Sequence, residues 1–195
     1  MIKKIALILC LQLVASAQVQ SNLMLFNSFI DKSVNLFDTS IPAETKVFLN
    51  YHSLFGETIF LNRIQSSLDK SGVVFVFDQS KAEYILNYNL ESAKVQYEKV
   101  IKDEFLEDFR VERTVSLNGS YQLNNTKGLL SSDKFLFTSK DTVKYSSVKD
   151  LEYPSLSFTT AKIPEEPFWP SLMEPAIAIG TIILAIFLFF TVRSN

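Results

Sequence analysis

The chain has 195 residues, of which 47% are hydrophobic and 21% charged, and its formal net charge is -2. This hydrophobic content, with 17 phenylalanines, 7 tyrosines and only 5 glycines and 6 prolines, excludes an intrinsically disordered chain. The segment between the two apolar ends contains all 21 acidic residues, and its acidity disfavours nucleic acid as a partner. The single cysteine, Cys10, lies in the N-terminal apolar end, so the rest of the chain offers no disulfide or thiolate chemistry.

The N-terminus has the three-part layout of a secretory signal peptide. Two lysines precede an apolar stretch from Ile5 to Val14, and residues 15–17 are the small residues that signal peptidase requires. We therefore predict a signal peptide over residues 1–17, with cleavage after Ala17. An uncleaved anchor is the alternative, although the apolar stretch is short for a membrane span.

The C-terminus contains an uncharged run from Pro175 to Val192. As a helix this run is about 27 Å long, near the thickness of a bilayer's hydrocarbon core. Phe168 and Trp169 precede it and Arg193 follows it, which is typical of membrane-interface residues. We predict a transmembrane helix over residues 175–192; a core helix of a soluble protein is the alternative.

Together the two ends predict a single-pass membrane protein whose bulk lies on the extracytoplasmic side, which is the periplasm if the source is a Gram-negative bacterium. The predicted organisation runs in chain order: signal peptide 1–17, exported α/β domain 18–162, proline-rich membrane-proximal linker 163–174, transmembrane helix 175–192 and cytoplasmic tail 193–195. The exported region is long enough to bury one core.

The first half of the exported region predicts two helices and two strands. Apolar residues at steps of three and four indicate helices over residues 21–38 and 53–71, with Gly72 as a C-terminal stop. Alternation in "KVFLNYH", residues 46–52, predicts a strand. The almost wholly apolar "GVVFVFD", residues 72–78, predicts a strand buried on both faces of the sheet.

Long alternating strands follow in the second half. One predicted inner face has Tyr84, Leu86, Tyr88, Leu90, Val95 and Tyr97, and the next has Val111, Val115, Leu117, Tyr121 and Leu123. The segment "KFLFTSKDTVKYSSV", residues 134–148, predicts a strand, a turn and another strand. The predicted fold class is α+β: a mixed, mostly antiparallel sheet with two helices on one face, plus the C-terminal transmembrane helix.

Residues 46–90 resemble the small α/β domains of bacterial envelope accessory proteins, such as the N-terminal domain of Tol-type translocation proteins and the curli-secretion lipoprotein. The resemblance depends on the helix ending at Ser71-Gly72, the strand "VVFVFD" and the opening of the long strand, "KAEYILNYNL". It implies a protein-binding or assembly role and transfers no functional residues.

The sequence predicts no catalytic residue, no metal site and no cofactor. His52 is the sole histidine, and no local pattern supplies a nucleophile or an orienting carboxylate for it. The densest charge cluster, "KDEFLEDFR" at residues 102–110, lacks the spacing of a calcium loop. Four basic residues are expected to neutralise its acids: Lys99, Lys102, Arg110 and Arg113.

Three apolar residues are interleaved with those acids: Phe105, Leu106 and Phe109. A solvated tip or a short helix between two strands is one interpretation of the segment. The other is that these three side chains contact a partner, with the charges as a rim.

From these observations we predict a membrane-anchored, non-enzymatic envelope protein. Its exported domain is expected to act as a protein-interaction or assembly subunit of an envelope or secretion complex, with the membrane and an envelope protein as partners. The alternative is a module that binds a lipid or another apolar ligand between the sheet and its aromatic-rich helices.

Overall fold

The computed structural model describes residues 19–55, 58–102, 108–166 and 168–192. The predicted signal peptide over residues 1–17 and the tail over residues 193–195 lie outside them. The described strands form a five-stranded sheet in the order β2-β1-β3-β4-β5. Their bounds are β1 Lys46–Ser53, β2 Val74–Phe75, β3 Tyr84–Ile101, β4 Arg110–Asn125 and β5 Gly128–Lys144.

The directions of the strands confirm a mixed, mostly antiparallel sheet. β1 is parallel to both β2 and β3, whereas β3, β4 and β5 are successively antiparallel. The long ladders of β3 with β4 and of β4 with β5 supply most of the pairing. The β4–β5 hairpin turns at Gly128, whose φ of 127° is a conformation that favours glycine.

Two helices cover one face of the sheet, which we call the inner face. Helix α1 spans Asn22–Val34 and begins at Ser21, whose hydroxyl accepts a hydrogen bond from the Met24 amide (3.3 Å). Helix α2 spans Ile59–Asp69 and buries Phe60, Ile64 and Leu68. A one-turn helix, α3 (Val148–Leu151), and the long helix α4 (Phe168–Val192) follow the sheet. Single 3-10 turns lie at Asp38–Ser40, Gln79–Lys81, Tyr145–Ser147 and Ser157–Thr159.

The core lies between the inner face and the two helices, as the alternation of the strands predicted. The predicted inner-face residues of β4 are all buried, and so are Leu86, Tyr88 and Leu90 of β3. Gly119 of β4 is required by this packing. A Cβ atom at residue 119 would lie 2.5 Å from the Asn89 carbonyl oxygen and 2.6 Å from Cζ of Phe135, so only glycine admits the Phe135 ring.

The prediction of a strand buried on both faces over residues 72–78 is wrong. β2 contains only two residues and lies at the edge of the sheet, where Val74 is 47% exposed and Phe77, just beyond the strand, is 97% exposed. Hydrophobicity alone does not distinguish a central strand from an edge strand.

The prediction of a C-terminal transmembrane helix over residues 175–192 is also corrected. Among the described residues, no helix is long and apolar enough to cross a membrane. This finding also removes the membrane as a single-span partner.

Candidate functional site

The structure places only one of the three predicted partner-contact residues. Phe105 and Leu106 lie outside the described residues. Phe109 is half-buried just before β4; its carbonyl accepts a hydrogen bond from the Tyr145 amide (2.8 Å), and the Lys102 ammonium lies 5.0 Å from its ring centroid. Phe109 is therefore tied to the end of β5, and the partner role of this segment stays a prediction.

The predicted membrane-interface residues are not brought together into a described site. Phe168 and Trp169 lie in the first turn of α4, but their side chains are outside the described part of the chain, and so is the whole of Arg193. His52 lies exposed on the outer face of β1, opposite Asn89 of β3. Within the described residues, no group of three or more His, Cys, Asp or Glu side chains could hold a metal ion.

From the sequence, Arg113 was expected to neutralise the acidic cluster at residues 102–110. The structure instead pairs it with an acid of β5. It is 1% exposed and lies on the inner face of β4, where its guanidinium forms a two-pronged ion pair with Asp141 of β5 (Nε to Oδ1, 2.8 Å). Its Nη1 donates to the Gln20 carbonyl and to Oδ1 of Asn22, both at 2.9 Å. The described acid of the cluster, Asp108, instead pairs with Lys144 at the surface (3.0 Å).

Asn22 extends this buried network to the C-terminal part of the domain. Its side-chain amide donates to the Tyr97 hydroxyl (3.0 Å) and to the Thr159 carbonyl (2.8 Å). Burial raises the pKa of Tyr97 to about 12, and the nearby Glu152 carboxylate adds to this effect. We call Asn22, Tyr97, Arg113, Asp141 and Thr159 the polar node. Each of its groups is paired, so the node joins α1, three strands and the C-terminal turn rather than presenting a reactive group.

A cavity of about 300 Å³ adjoins the polar node. Charged and hydroxyl side chains dominate its lining: Glu98, Glu112, Arg113, Thr114, Lys140, Asp141 and Thr142. A site for a lipid or another apolar ligand requires a mainly apolar lining. This cavity therefore does not suit the apolar ligand considered from the sequence.

The open edge of β5 is the strongest candidate for a functional surface. β5 has 17 residues and pairs, within the described part of the chain, only with β4. The Lys134 amide donates to its neighbour Asp133 (2.8 Å) and not to β4. Because the backbone alternates with period two, the amides of Lys134, Leu136 and Thr138 point away from β4, toward the open edge.

Side chains along this edge form an uncharged centre with charges on both sides. Leu136 is 69% exposed on the outer face. On the inner face, Phe135 packs on Tyr88 (ring centroids 5.7 Å apart) and Phe137 stacks on Phe29 of α1 (6.0 Å). Lys134 and Lys140 flank this centre. We call residues 132–140, together with their outward backbone groups, the β5 edge.

Sequence reasoning missed the β5 edge because it divided the strand in two. A turn was predicted within residues 134–148, but the chain from Lys134 to Lys144 remains extended because each of these residues is paired with β4. The sequence did contain a sign of one continuous strand: apolar residues keep the same period-two alternation at Phe135, Phe137 and Val143. A turn between these residues would have shifted that alternation.

Solved structures similar to this chain include two bacterial lipoproteins. A minor lipoprotein from Acinetobacter baumannii has a TM-score of 0.36 and 11% identity, and covers 60% of this chain and 82% of that chain. Lipoprotein GNA1162 from Neisseria meningitidis has a TM-score of 0.36 and 9% identity, and covers 72% of this chain and 99% of that chain. Neither is described as a Tol-type or curli-secretion protein. No protein-family model and no curated protein matches the chain.

Proposed function

We propose that this protein is a non-enzymatic protein-interaction subunit of the bacterial envelope, and that it binds its partner through the β5 edge. The observation that carries the proposal is the long open edge of β5 with Leu136 exposed at its centre. An open edge strand presents a row of unpaired backbone donors and acceptors, on which a strand of another protein can add to the sheet.

The side chains of the β5 edge support selective rather than general pairing. Soluble proteins commonly protect an edge strand with lysines, and Lys134 and Lys140 are placed in this way on the outer face. Between them, residues 135–139 carry no charge. A partner strand that avoids a positive charge opposite each lysine therefore pairs here, and other strands are disfavoured.

The envelope location in this proposal comes from the sequence. A signal peptide over residues 1–17 would export the domain, and the described residues beyond it contain no cysteine that an oxidising compartment could cross-link. The domain would then meet its partner on the extracytoplasmic side.

The proposal is tested by placing a photo-cross-linking amino acid at Leu136 in the full chain in bacterial cells. We expect a covalent adduct with a protein, because a strand added to β5 lies within reach of this side chain. The matched control carries the same amino acid at Gln122, which is exposed on β4 and is paired on one side with Asn87 of β3 and on the other with Ser132 of β5. Equal yields of adduct from residues 136 and 122 would contradict the proposal.

The segment between β3 and β4 is a second candidate contact. Phe105, Leu106 and Phe109 are apolar residues beside an acidic run, and we propose that Phe105 and Leu106 extend the contact at this end of the sheet. Replacing both with serine should weaken partner capture without lowering the thermal unfolding midpoint. A parallel loss of stability would mean that the two side chains belong to the core.

A further inference from the structure

The β5 edge is complementary to itself. In the sequence "SDKFLFTSK", residues 132–140, two phenylalanines lie at equal distances on either side of Leu136, both on the inner face. Further out, Lys134 and Thr138 are equidistant from Leu136, and so are Asp133 and Ser139, so each charged residue is matched by an uncharged one. An antiparallel pair of identical strands related by a two-fold axis brings such positions opposite each other.

Centring the two-fold axis on Leu136 gives favourable pairs on both faces. On the outer face, the exposed Leu136 lies opposite Leu136 of the second copy, and Lys134 lies opposite Thr138. On the inner face, Phe135 lies opposite Phe137, so the aromatic row that begins at Phe29 continues into the second copy. Aromatic and aliphatic pairs of this kind are the units that stabilise a sheet.

The neighbouring registers are unfavourable. Centring the axis on Phe137 places Lys134 opposite Lys140 and Asp133 opposite Asp141, so like charges meet at four positions of the ladder. Centring it on Phe135 places Leu136 opposite Lys134 and Phe137 opposite Asp133. In the register centred on Leu136 no two charged residues of β5 between 132 and 140 lie opposite each other.

We propose that the partner of the β5 edge is a second copy of this chain, bound antiparallel with the two-fold axis at Leu136, so that the two sheets form one continuous sheet. This inference rests on the proposed function, because it names the occupant of the same edge. The outward amides of residues 134, 136 and 138 then pair with carbonyls of the second copy, and the Lys134 amide exchanges the Asp133 carboxylate for an inter-chain bond.

The register is tested by disulfide trapping in the full chain with Cys10→Ser. In the proposed pair the Cα atoms of residue 136 lie about 5.5 Å apart, within disulfide range, whereas those of residue 138 lie about 14 Å apart. We therefore expect mild oxidation to convert Leu136→Cys to a covalent dimer at least about tenfold faster than Thr138→Cys or Lys134→Cys.

A double variant gives an independent check. Lys134→Cys with Thr138→Cys in one chain should recover rapid dimer formation, because each residue faces the other in the second copy. All of these side chains are exposed, so the thermal unfolding midpoints should match that of the parent. Equal rates for all variants, or no dimer from Leu136→Cys and from the double variant, would overturn the inference.

The two proposals fail differently. If Leu136→Cys forms no dimer but the photo-cross-linker at Leu136 captures a different protein, the β5 edge is an interaction site and the second copy is not its occupant. If neither experiment gives an adduct, the proposed function falls together with the inference.

Discussion

Arg113 shows how one charged side chain can organise a core. It occupies an inner-face position of β4 between Val111 and Val115, where an uncompensated charge would be costly. Asp141 and the two oxygens of Gln20 and Asn22 compensate it. The alternation of β4 already indicated this position, but a charged residue is ordinarily assigned to the surface, and its partners come from distant parts of the chain.

Replacing Arg113 with methionine should lower the free energy of unfolding by about 2–4 kcal/mol. The change removes four donated hydrogen bonds and leaves Oδ1 of the buried Asn22 and the carboxylate of Asp141 without their donors. Urea unfolding measures the loss. The matched change Lys94→Met, at an exposed position of the neighbouring strand β3, should cost less than about 0.5 kcal/mol. Equal costs would show that the network contributes nothing beyond a surface lysine.

Asp31 gives the domain a pH-dependent contact between its helices. Burial alone would raise its pKa, but hydrogen bonds from Arg63 of α2 (Nε, 2.8 Å) and Ser67 (2.9 Å) outweigh burial and lower the pKa of Asp31 below its ordinary value. A lowered pKa in the folded state means that the contact stabilises above the unfolded-state pKa. The contribution is lost as the pH falls through the folded-state value.

We expect Asp31→Asn to destabilise the domain by about 0.5–1 kcal/mol near pH 7, because both side chains are more than one-third exposed and solvent weakens the pair. As the pH falls below the lowered folded-state pKa of Asp31, the parent carboxyl is also protonated, so the difference should shrink toward zero. Urea unfolding at a series of falling pH values tests this. The double variant Asp31→Asn with Arg63→Gln should be no less stable than either single change; full additivity would contradict the coupling.

The Ser157–Thr159 turn is the element that holds the C-terminal segment on the helices. Its Phe158 ring lies among three other phenylalanines, with centroids 5.3 Å from Phe26, 5.1 Å from Phe60 and 5.7 Å from Phe55. Further along the segment, the Tyr145 hydroxyl donates to the Pro164 carbonyl (2.8 Å). The segment after β5 is thus part of the folded domain.

Phe158→Ala should cost about 3–4 kcal/mol of unfolding free energy, because Phe158 is only 6% exposed and its removal leaves a cavity between the helices. Thermal or urea unfolding measures the cost. The control Phe77→Ala removes a ring that is 97% exposed and should change stability by less than about 0.5 kcal/mol. A loss of unfolding free energy as small as that of Phe77→Ala would show that the packing of Phe158 does not stabilise the domain.

Elements with a clear period were predictable from sequence, and edges were not. α1, α2, β1, β3 and β4 follow from apolar spacing because each has one face in the core. The sequence predicted β2 too long and divided β5 into two strands. The reason is that the length of an edge strand depends on the strand beside it in the sheet. The β5 edge itself depends on the order β2-β1-β3-β4-β5, and local periodicity does not determine which strand is last.

At the scale of the whole molecule, the described part of α4 lies outside the core of the sheet domain. Its described side chains, residues 175–191, are all exposed, so they do not pack on the core. Ten of them are large hydrophobic residues: Ile177, Ile179, Ile182, Ile183, Leu184, Ile186, Phe187, Leu188, Phe189 and Phe190.

A chain ending at Glu165 should therefore keep its unfolding free energy within about 0.5 kcal/mol of the full chain, because it retains the Pro164 contact with Tyr145. Its solubility should rise as the exposed apolar surface is removed. Urea unfolding and light scattering measure the two effects. A loss of about 2 kcal/mol or more would mean that α4 supports the domain.

The bond from Asn22 to the Thr159 carbonyl joins residues 137 positions apart in the chain. The β3–β4–β5 meander can form from neighbouring segments as they become available, but α1 cannot complete its contacts until the last turn of the domain is present. Closing so long a loop is a late and slow step of folding. If the chain crosses a membrane N-terminus first, Phe26 of α1 lacks its contact with Phe158 until the last turn emerges, and α1 is most exposed to aggregation during this interval.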